Sequence, residues 1–274
     1  MTPLRIEAPA KLNLSLRVVG SRDDGLHLID SELVLLELAD RLLLMPGSSG
    51  LRVGGDPPPN VPLGDGNLAW RGLRAALGHE PDLVCLSLQK LIPVAAGLGG
   101  GSSDAAAAWR LGRAFHGISA PPSAAELGEL STIGADVPFF AAGVAAARVG
   151  GIGEVVTPRQ PAARHVVLVH PPFGLSTAAV FAELRPDEWG TAENDLLNAA
   201  RRLRPELDEL LALVRVAGGT PRLTGSGPTV FTFAADATDA AAIATELERR
   251  GARTTITRTR EAPAAIESID EEEA

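Results

Sequence analysis

The chain has 274 residues, of which 45% are hydrophobic and 22% charged, and its formal net charge is −9. This composition is typical of a globular protein, and the length allows one large domain or two modest ones. The negative charge argues against a broad nucleic-acid-binding surface. It does not exclude a small anionic ligand, because a few backbone N–H groups can bind phosphate locally.

The sequence predicts no targeting or membrane-spanning segment. The longest apolar run, residues 137–147, is too short to cross a bilayer, and the amino terminus lacks the apolar core of a signal peptide. The single cysteine, Cys85, excludes an internal disulfide and lies in a stretch typical of a buried, inert thiol. We expect a cytoplasmic protein without nucleic-acid or membrane partners. Its sequence is compatible with a monomer and with a homodimer.

Hydrophobic periodicity predicts the elements in chain order. The first half is predicted to contain strands at 4–19 (with a break), 33–36, 41–45, 51–53, 83–89 and 145–149, and helices at 67–77, 103–115 and 123–133. The second half is predicted to contain strands at 165–170, around 223–233 (a pair) and at 253–257, and helices at 176–184, within 193–216 (two) and at 238–250. A proline-rich surface loop is expected at 56–66 and a solvated acidic tail at 269–274.

A change of composition to glycine, proline and polar residues marks a domain boundary within residues 150–165. Strands that alternate with helices and hairpins in this order favour a split βαβ sandwich over a doubly wound sheet.

Residues 92–108 read IPVAAGLGGGSSDAAAA and lie between a predicted strand and a predicted helix. Bare backbone at the start of a helix is typical of a phosphate site, because the first N–H groups have no partners within the helix. The alternative is a tight turn. The dinucleotide pattern G-x-G-x-x-G fails at Ser102 and Asp104, and the Walker pattern fails because no lysine follows Lys90. Asp104 is expected to cap the helix or to pair with its dipole, in preference to a catalytic role.

Only Lys11 and Lys90 are lysines among the 25 basic residues. A compact ammonium and a planar guanidinium are not interchangeable in tight sites. Either the two lysines have specific roles, or their small number is a matter of chance.

Several motifs together resemble those of one enzyme superfamily. PVAAGLGGGSSDAAA at 93–107 resembles the phosphate loop of the galacto-, homoserine, mevalonate and phosphomevalonate (GHMP) kinases. PAKLNLSLRV at 9–18 resembles their first motif, and LTGSGPTVF at 223–231 resembles their carboxy-terminal glycine motif. With RDDGLH at 22–27 and GADVPFF at 134–140, the ordered set is most similar to the branch that acts on cytidine diphosphate methylerythritol. The resemblance covers nearly the whole chain.

The resemblance implies an α+β, two-domain GHMP kinase fold. It places an amino-terminal ribosomal-protein-S5-like α/β domain at 1–158 and a carboxy-terminal ferredoxin-like split βαβ domain at 159–274. It also implies ATP- and Mg²⁺-dependent phosphorylation of the substrate's 2-hydroxyl, a step of the non-mevalonate route to isoprenoid precursors.

The resemblance implies a set of ATP-binding residues around the glycine stretch. They are Pro93, Val94, Ala95, Ala96, Gly97, Leu98, Gly99, Gly100, Gly101, Ser102 and Ser103 around the phosphates, with Asn67, Leu68 and Lys90 near the adenine. By pattern alone, Lys90 fits a surface position equally well.

Two residues match the catalytic pair of the family. Asp136 would accept the proton of the substrate hydroxyl, and Lys11 would stabilise charge on the transferring group. Without the resemblance, Asp136 would be interpreted as a turn or cap residue before a proline. The sequence does not indicate which residues would hold Mg²⁺.

The resemblance also implies a substrate side, formed by Asn13, Leu26, His27, Phe181, Gly225, Ser226 and Gly227. His27 would read the cytosine edge and Phe181 would pack on one face of the base. Leu26 stands where the family usually has a tyrosine, and the chain contains no tyrosine. By pattern alone, His27 is a solvated loop residue, Phe181 a core position and residues 225–227 a hairpin turn.

Three other functions share part of this pattern. A homoserine- or mevalonate-type kinase would share the glycine motifs but not RDDGLH followed by GADVPFF. A non-catalytic nucleotide-binding module would not need both Lys11 and Asp136. A dinucleotide-dependent oxidoreductase fails on glycine spacing. Glu154 matches the family without a known role, and we expect a structural one.

Overall fold

A computed structural model describes residues 2–47, 49–55 and 60–270. Part of the predicted proline-rich loop (56–59) and of the predicted acidic tail (271–274) lies outside the described residues. The strands are β1 Leu4–Ser21, β2 His27–Pro46, β3 Gly50–Gly55, β4 Val84–Lys90, β5 Ala146–Gly151, β6 Val155–Pro158, β7 His165–His170, β8 Arg222–Leu223, β9 Val230–Ala234, β10 Arg253–Arg258 and β11 Ile266–Ser268. The α-helices are α1 Leu68–Leu77, α2 Gly100–Phe115, α3 Ala124–Ser131, α4 Val137–Ala141, α5 Thr177–Glu183, α6 Leu196–Leu203, α7 Glu206–Val216 and α8 Ala237–Arg249. Within these described ranges, no helix is both long and apolar enough to span a bilayer.

The first sheet is built around one long hairpin, β1 and β2. Its order is β11-β1-β2-β4-β3, with β5 paired to β2 and β6 to β5. The prediction of several short strands was wrong here, since β1 has 18 residues and β2 has 20. Bulges between Pro9 and Lys11, Asn13 and Ser15, and Val18 and Gly20 let the hairpin bend without ending the pairing.

The helices α1 and α2 of this half pack against each other at very close range. A Cβ atom on Gly72 of α1 would lie 2.1 Å from the Ala105 carbonyl oxygen of α2. The buried face of α2 is rich in alanine, from Ala105 to Ala108, which allows the approach. This packing fixes the start of α2, where the glycine stretch enters the helix.

The second sheet has the order β10-β7-β9-β8 and is antiparallel throughout. In chain order it is β7, helices α5 to α7, β8, β9, α8 and β10. This order and topology are those of a ferredoxin-like split βαβ unit. The predicted α+β class is confirmed.

Two strands were not predicted. β6 lies in the stretch assigned to the domain boundary and pairs with β5. β11 returns to the first sheet and pairs with β1, Leu4 opposite Ser268. The domain division between residues 158 and 159 stays a prediction. The carboxy-terminal strand β11 nevertheless belongs to the sheet of the first half.

Candidate active site

Strand β1, the glycine stretch, the start of α4 and the segment around Gly225 converge on a cavity of about 900 Å³. Residues from both halves of the chain line it. Almost all of the predicted site residues lie on its wall, although they come from positions 11 to 226 of the sequence.

Lys11 and Asp136 lie next to each other on the wall of this cavity. The Lys11 side chain is buried, and its Nζ lies 3.4 Å from Asp136 Oδ2 and donates to Asn13 Oδ1 at 2.5 Å. Asp136 occupies the N-cap position of α4 but makes no side-chain capping bond, and its side chain is 33% exposed. Its carboxylate is therefore free to contact a ligand, while the lysine is held in place.

A hydrogen-bond chain fixes Asn13, the neighbour of Lys11 on β1. Asn13 Nδ2 donates to Ser31 Oγ at 2.8 Å, and Ser31 Oγ donates to the Ser15 carbonyl. The backbone N–H of Asn13 donates to Thr224 Oγ1 at 3.1 Å, in the third glycine motif. Sequence reasoning missed Ser31 and Thr224, whose partners lie on other elements.

The glycine stretch passes between two other backbone segments. Gly97 and Gly99 have φ of +75° and +72°, which L side chains rarely adopt. A Cβ on Gly97 would lie 2.2 Å from the Gly227 carbonyl oxygen, and one on Gly99 would lie 3.0 Å from Lys11 Cγ. The loop is thus held against both strand β1 and the third glycine motif.

The helix after this loop begins at Gly100, with Gly99 as its N-cap, rather than at the predicted Ser103. Its first N–H groups therefore belong to bare glycine backbone on the cavity wall. The amino end of a 16-residue helix carries partial positive charge, which suits a bound phosphate.

Ser103 and Gly227 are the predicted site residues that do not line the cavity. The Ser103 hydroxyl is buried beside a separate small void bordered by Pro9 and Phe140, and it has no hydrogen-bond partner in the described structure. Gly227 instead contacts Gly97 through its carbonyl group. Ser102 and Ser103 are consecutive in the helix, and the rotation of about 100° from one helical residue to the next turns the second hydroxyl away from the cavity.

Lys90 joins two carboxylates beneath the glycine stretch, and the surface alternative is wrong. Its Nζ donates to Asp104 Oδ2 at 2.7 Å and to Asp40 Oδ2. Asp40 is fully buried, and its other oxygen accepts from the backbone N–H groups of Leu91 (2.5 Å) and Ile92 (2.8 Å). The trio thereby ties β2, the turn after β4 and the first turns of α2 together.

The capping role expected for Asp104 is also wrong, because the helix begins one turn earlier. Burial raises the pKa of Asp104 to about 8, with Lys90 opposing and Asp40 adding to the rise. Burial lowers the pKa of Lys90, but the two carboxylates outweigh it and the net shift is upward. Burial therefore favours the neutral acid of Asp104 at neutral pH, and the charged form of Lys90 is retained.

The side of the cavity that was predicted to bind adenine is organised by Asn67, which caps α1. Its Oδ1 accepts from the Ala69 N–H at 2.9 Å, and its Nδ2 donates to the Pro62 carbonyl at 2.9 Å. The side-chain amide of Asn67 therefore holds the loop around Pro62, which lines this side of the cavity. Leu68 and Leu88 supply apolar wall suited to a flat base.

The opposite side of the cavity is apolar and aromatic. His27 starts β2 and Phe181 lies on α5, with ring centroids 5.2 Å apart and planes 32° apart. Leu26 is 48% exposed beside them. Ser226 Oγ and Thr177 Oγ1 are hydrogen-bonded at 2.9 Å, which joins the third motif to α5.

Glu154, the residue without an assigned role, lies in the turn between β5 and β6. Its Oε2 accepts from the Ile152 backbone N–H at 2.7 Å. This contact stabilises the turn, in agreement with the structural role expected from the sequence.

The donor set around the cavity suits a divalent cation that arrives with a nucleotide. In the described part of the chain, no three His, Cys, Asp or Glu side chains cluster as a metal site. Asp136 presents a partly exposed carboxylate and Ser102 a hydroxyl on the cavity wall. Mg²⁺ is commonly held by one or two carboxylates together with substrate phosphates.

A glycine loop at a helix start, facing a lysine–aspartate pair, defines a site for phosphoryl transfer to a small molecule. The family description "GHMP kinases N terminal domain" matches residues 67–144, and "GHMP kinases C terminal" matches residues 178–253. The chain belongs to the GHMP kinase family and is a small-molecule kinase.

Relatives within this family carry a more specific name. Proteins named 4-diphosphocytidyl-2-C-methyl-D-erythritol kinase from Dinoroseobacter shibae and Paramagnetospirillum magneticum are both 39% identical to the chain. The first alignment covers 84% of this chain and 85% of the relative, and the second covers 90% and 94%. A crystal structure of a 4-(cytidine 5'-diphospho)-2C-methyl-D-erythritol kinase is 33% identical, with a TM-score of 0.77 over 93% of this chain and 98% of that one.

Proposed function

We propose that the chain transfers the γ-phosphoryl group of ATP to the 2-hydroxyl of 4-diphosphocytidyl-2-C-methyl-D-erythritol. The observation that carries the proposal is the position of the Lys11–Asp136 pair in a cavity with a glycine loop and an aromatic end. The names of the relatives support the choice of substrate. The reaction would be a step of isoprenoid precursor synthesis in the cytoplasm.

In the proposed reaction, Asp136 accepts the proton of the substrate hydroxyl as that oxygen attacks the γ-phosphorus. The new P–O bond forms while the bond to the β-phosphate oxygen breaks, and ADP leaves. A positioned general base typically contributes ~10²–10⁴-fold to such a step. The partly exposed carboxylate of Asp136, free of a capping bond, has the freedom that this role requires.

Lys11 would stabilise the negative charge on the transferring group. Its ammonium lies 3.4 Å from the proposed base and is oriented by Asn13, so it needs little reorganisation during the reaction. The backbone of the β1 strand at Lys11 also donates to the Leu98 carbonyl at 3.0 Å. The lysine and the phosphate loop would therefore keep a fixed distance.

The glycine stretch and the start of α2 would bind the ATP phosphates through backbone N–H groups. Mg²⁺ on the nucleotide would neutralise charge on the phosphates, with Asp136 and Ser102 as the candidate side-chain ligands. The cytosine would lie at the aromatic end, its edge read by His27 and its faces covered by Phe181 and Leu26. We also keep the domain division 1–158 and 159–274 as a proposal.

ADP release by the purified protein tests the proposal. The reaction contains ATP, Mg²⁺ and 4-diphosphocytidyl-2-C-methylerythritol, with homoserine, mevalonate and galactose in parallel. We expect turnover with the cytidylyl substrate alone, and loss of that turnover in Asp136→Asn with ATP binding retained. Turnover of another alcohol would keep the kinase and overturn the substrate, whereas ATP binding without any turnover would favour a non-catalytic module.

A further inference from the structure

A tryptophan that sequence analysis did not single out contacts the predicted cytosine reader. The rings of Trp189 and His27 are nearly perpendicular, at 79°, with centroids 5.5 Å apart. Trp189 is not one of the cavity-lining residues in the described structure. It therefore contacts His27 from behind the cavity wall.

An arginine network holds the segment that carries Trp189. Arg202 Nη1 and Nη2 donate to the carboxylate of Glu188 at 2.6 and 2.8 Å. Arg202 Nε donates to Glu183 Oε1 at 2.6 Å, at the end of the helix that carries Phe181. These hydrogen bonds hold the pKa of Glu188 at about 2, so its carboxylate stays charged across the physiological range.

A buried aspartate fixes the other side of the same segment. Asp195 accepts from the N–H groups of Gly190 at 2.6 Å and of Val18 at 2.8 Å. Val18 pairs with Ile29, two residues beyond His27 on β2. The segment after Trp189 is thus tied to the strand that positions His27, while the segment before it is tied to the helix that positions Phe181.

The indole nitrogen of Trp189 is buried and has no hydrogen-bond partner within the described residues. An unpartnered buried donor destabilises the fold, so hydrogen bonding does not account for the presence of an indole here. Its aromatic ring makes a specific contact with His27, at the end of the cavity that Leu26 also lines.

We propose that Trp189 is a positioning residue for the cytidine end of the cavity. Its ring fixes the imidazole of His27 in the orientation that meets the base. The inference rests on the proposed function, since it assumes a cytidylyl substrate. A perpendicular aromatic contact is one of the favoured ring geometries.

The test compares Trp189→Leu with Trp189→Phe in steady-state kinetics and in calorimetric binding of CMP. We expect the leucine variant to raise KM for the cytidylyl substrate and Kd for CMP about three- to tenfold, the range of one aromatic pair. KM for ATP and kcat should stay within about twofold. The phenylalanine variant, which keeps a ring and removes the unpartnered N–H, should restore most of the loss.

Two controls separate positioning from general stability. Leu213→Ala perturbs the same hydrophobic core, against which Trp189 and Leu213 both pack, without a position on the cavity wall. In a His27→Ala background, Trp189→Leu should add no further loss of CMP affinity. Trp189→Met replaces the leucine variant if the latter does not fold.

Three results would overturn the proposal: unchanged CMP affinity in Trp189→Leu, an equal loss in Leu213→Ala, or full additivity with His27→Ala. Absence of CMP binding to the wild-type protein would also overturn it, because no cytidine end would exist. Failure of wild-type turnover with CMP binding intact would count against the proposed reaction alone. The calorimetric measurements of CMP binding would then still test the role of Trp189.

Discussion

Gly97 and Gly227 meet backbone to backbone, and a Cβ on Gly97 would lie 2.2 Å from the Gly227 carbonyl oxygen. The contact joins the phosphate loop to the third glycine motif, 130 residues further along the chain. The Thr229 N–H also donates to the Ala96 carbonyl at 3.4 Å, beside this contact. The loop therefore takes its shape partly from a segment of the second half of the chain.

Gly97→Ala should abolish most activity by forcing these two segments apart. A displacement of about 1 Å at a reacting centre can reduce the rate by roughly 100-fold. We expect kcat/KM for ATP to fall by about that factor in steady-state assays.

The matched control is Gly117→Ala. Gly117 has φ +74°, close to the +75° of Gly97, but a Cβ there would meet nothing within 4 Å. It should lose only the stability that a left-handed backbone costs an alanine, about 1 kcal/mol. Equal losses of activity in the two variants would show that backbone strain, not the contact with Gly227, is responsible.

Lys11→Arg should reduce kcat by roughly 10²-fold, the loss typical of one misplaced electrostatic donor. A Cβ on Gly225 would lie 3.2 Å from Lys11 Nζ, and one on Gly99 would lie 3.0 Å from Lys11 Cγ. A planar guanidinium is larger than the ammonium and has no room between these backbones. Single-turnover kinetics would measure the chemical step directly.

Arg17→Lys is the reverse exchange on the same strand, at an exposed position, and should leave kcat unchanged. A Lys11→Arg enzyme with wild-type kcat would contradict the tight fit and the role of the ammonium.

Asp104→Asn should flatten the dependence of stability on pH. Burial raises the pKa of Asp104 from 3.8 to about 8, so between these values the folded chain holds a proton that the unfolded chain has lost. Stability due to this group therefore decreases as pH rises through that window, with a slope of up to about 1.4 kcal/mol per pH unit. The asparagine variant cannot ionise and should lack this slope.

Urea unfolding at several pH values between 5 and 8, for both proteins, would measure the difference. Asp82→Asn, at an exposed position just before β4, serves as a control whose slope should match the wild type. Parallel stability curves for wild type and Asp104→Asn would indicate that Asp104 is ionised throughout.

Leu26→Tyr should strengthen binding of the cytidylyl substrate. Leu26 is 48% exposed, so a larger ring can be accommodated without repacking the core. A stacking ring contributes on the order of 1 kcal/mol, which corresponds to about a fivefold lower KM for that substrate. KM for ATP should not change. A KM that is unchanged or higher would show that the base does not lie beside residue 26.

Sequence alone was sufficient for the fold class and for most of the cavity wall, because the ordered motifs resemble those of one kinase superfamily. The local pattern by itself would have left His27 as a loop residue and Asp136 as a turn or cap residue. Sequence was insufficient for strand lengths. The pattern breaks near Pro9, and only pairing with β2 shows that this break is a bulge inside one strand. The alternation from Leu12 to Val18 gives no sign of the second bulge, between Asn13 and Ser15.

The residues that sequence reasoning missed act over long separations. Asp40 meets Lys90 across 50 positions, and Asp195 meets the Val18 N–H across 177. Neither spacing leaves a periodic signal, since such pairs depend on the register of the sheets. Trp189 was missed because it reaches the site only through His27.

The pairing of β11 with β1 places Leu4 opposite Ser268. Two residues so paired lie about 5 Å apart, although nearly the whole polypeptide separates them in sequence. A short covalent linker could therefore join these positions, and new termini could open at an exposed turn such as the one at Gly117. Such a circular permutant should retain the same sheet order, since the connections that it alters involve none of the residues that line the cavity.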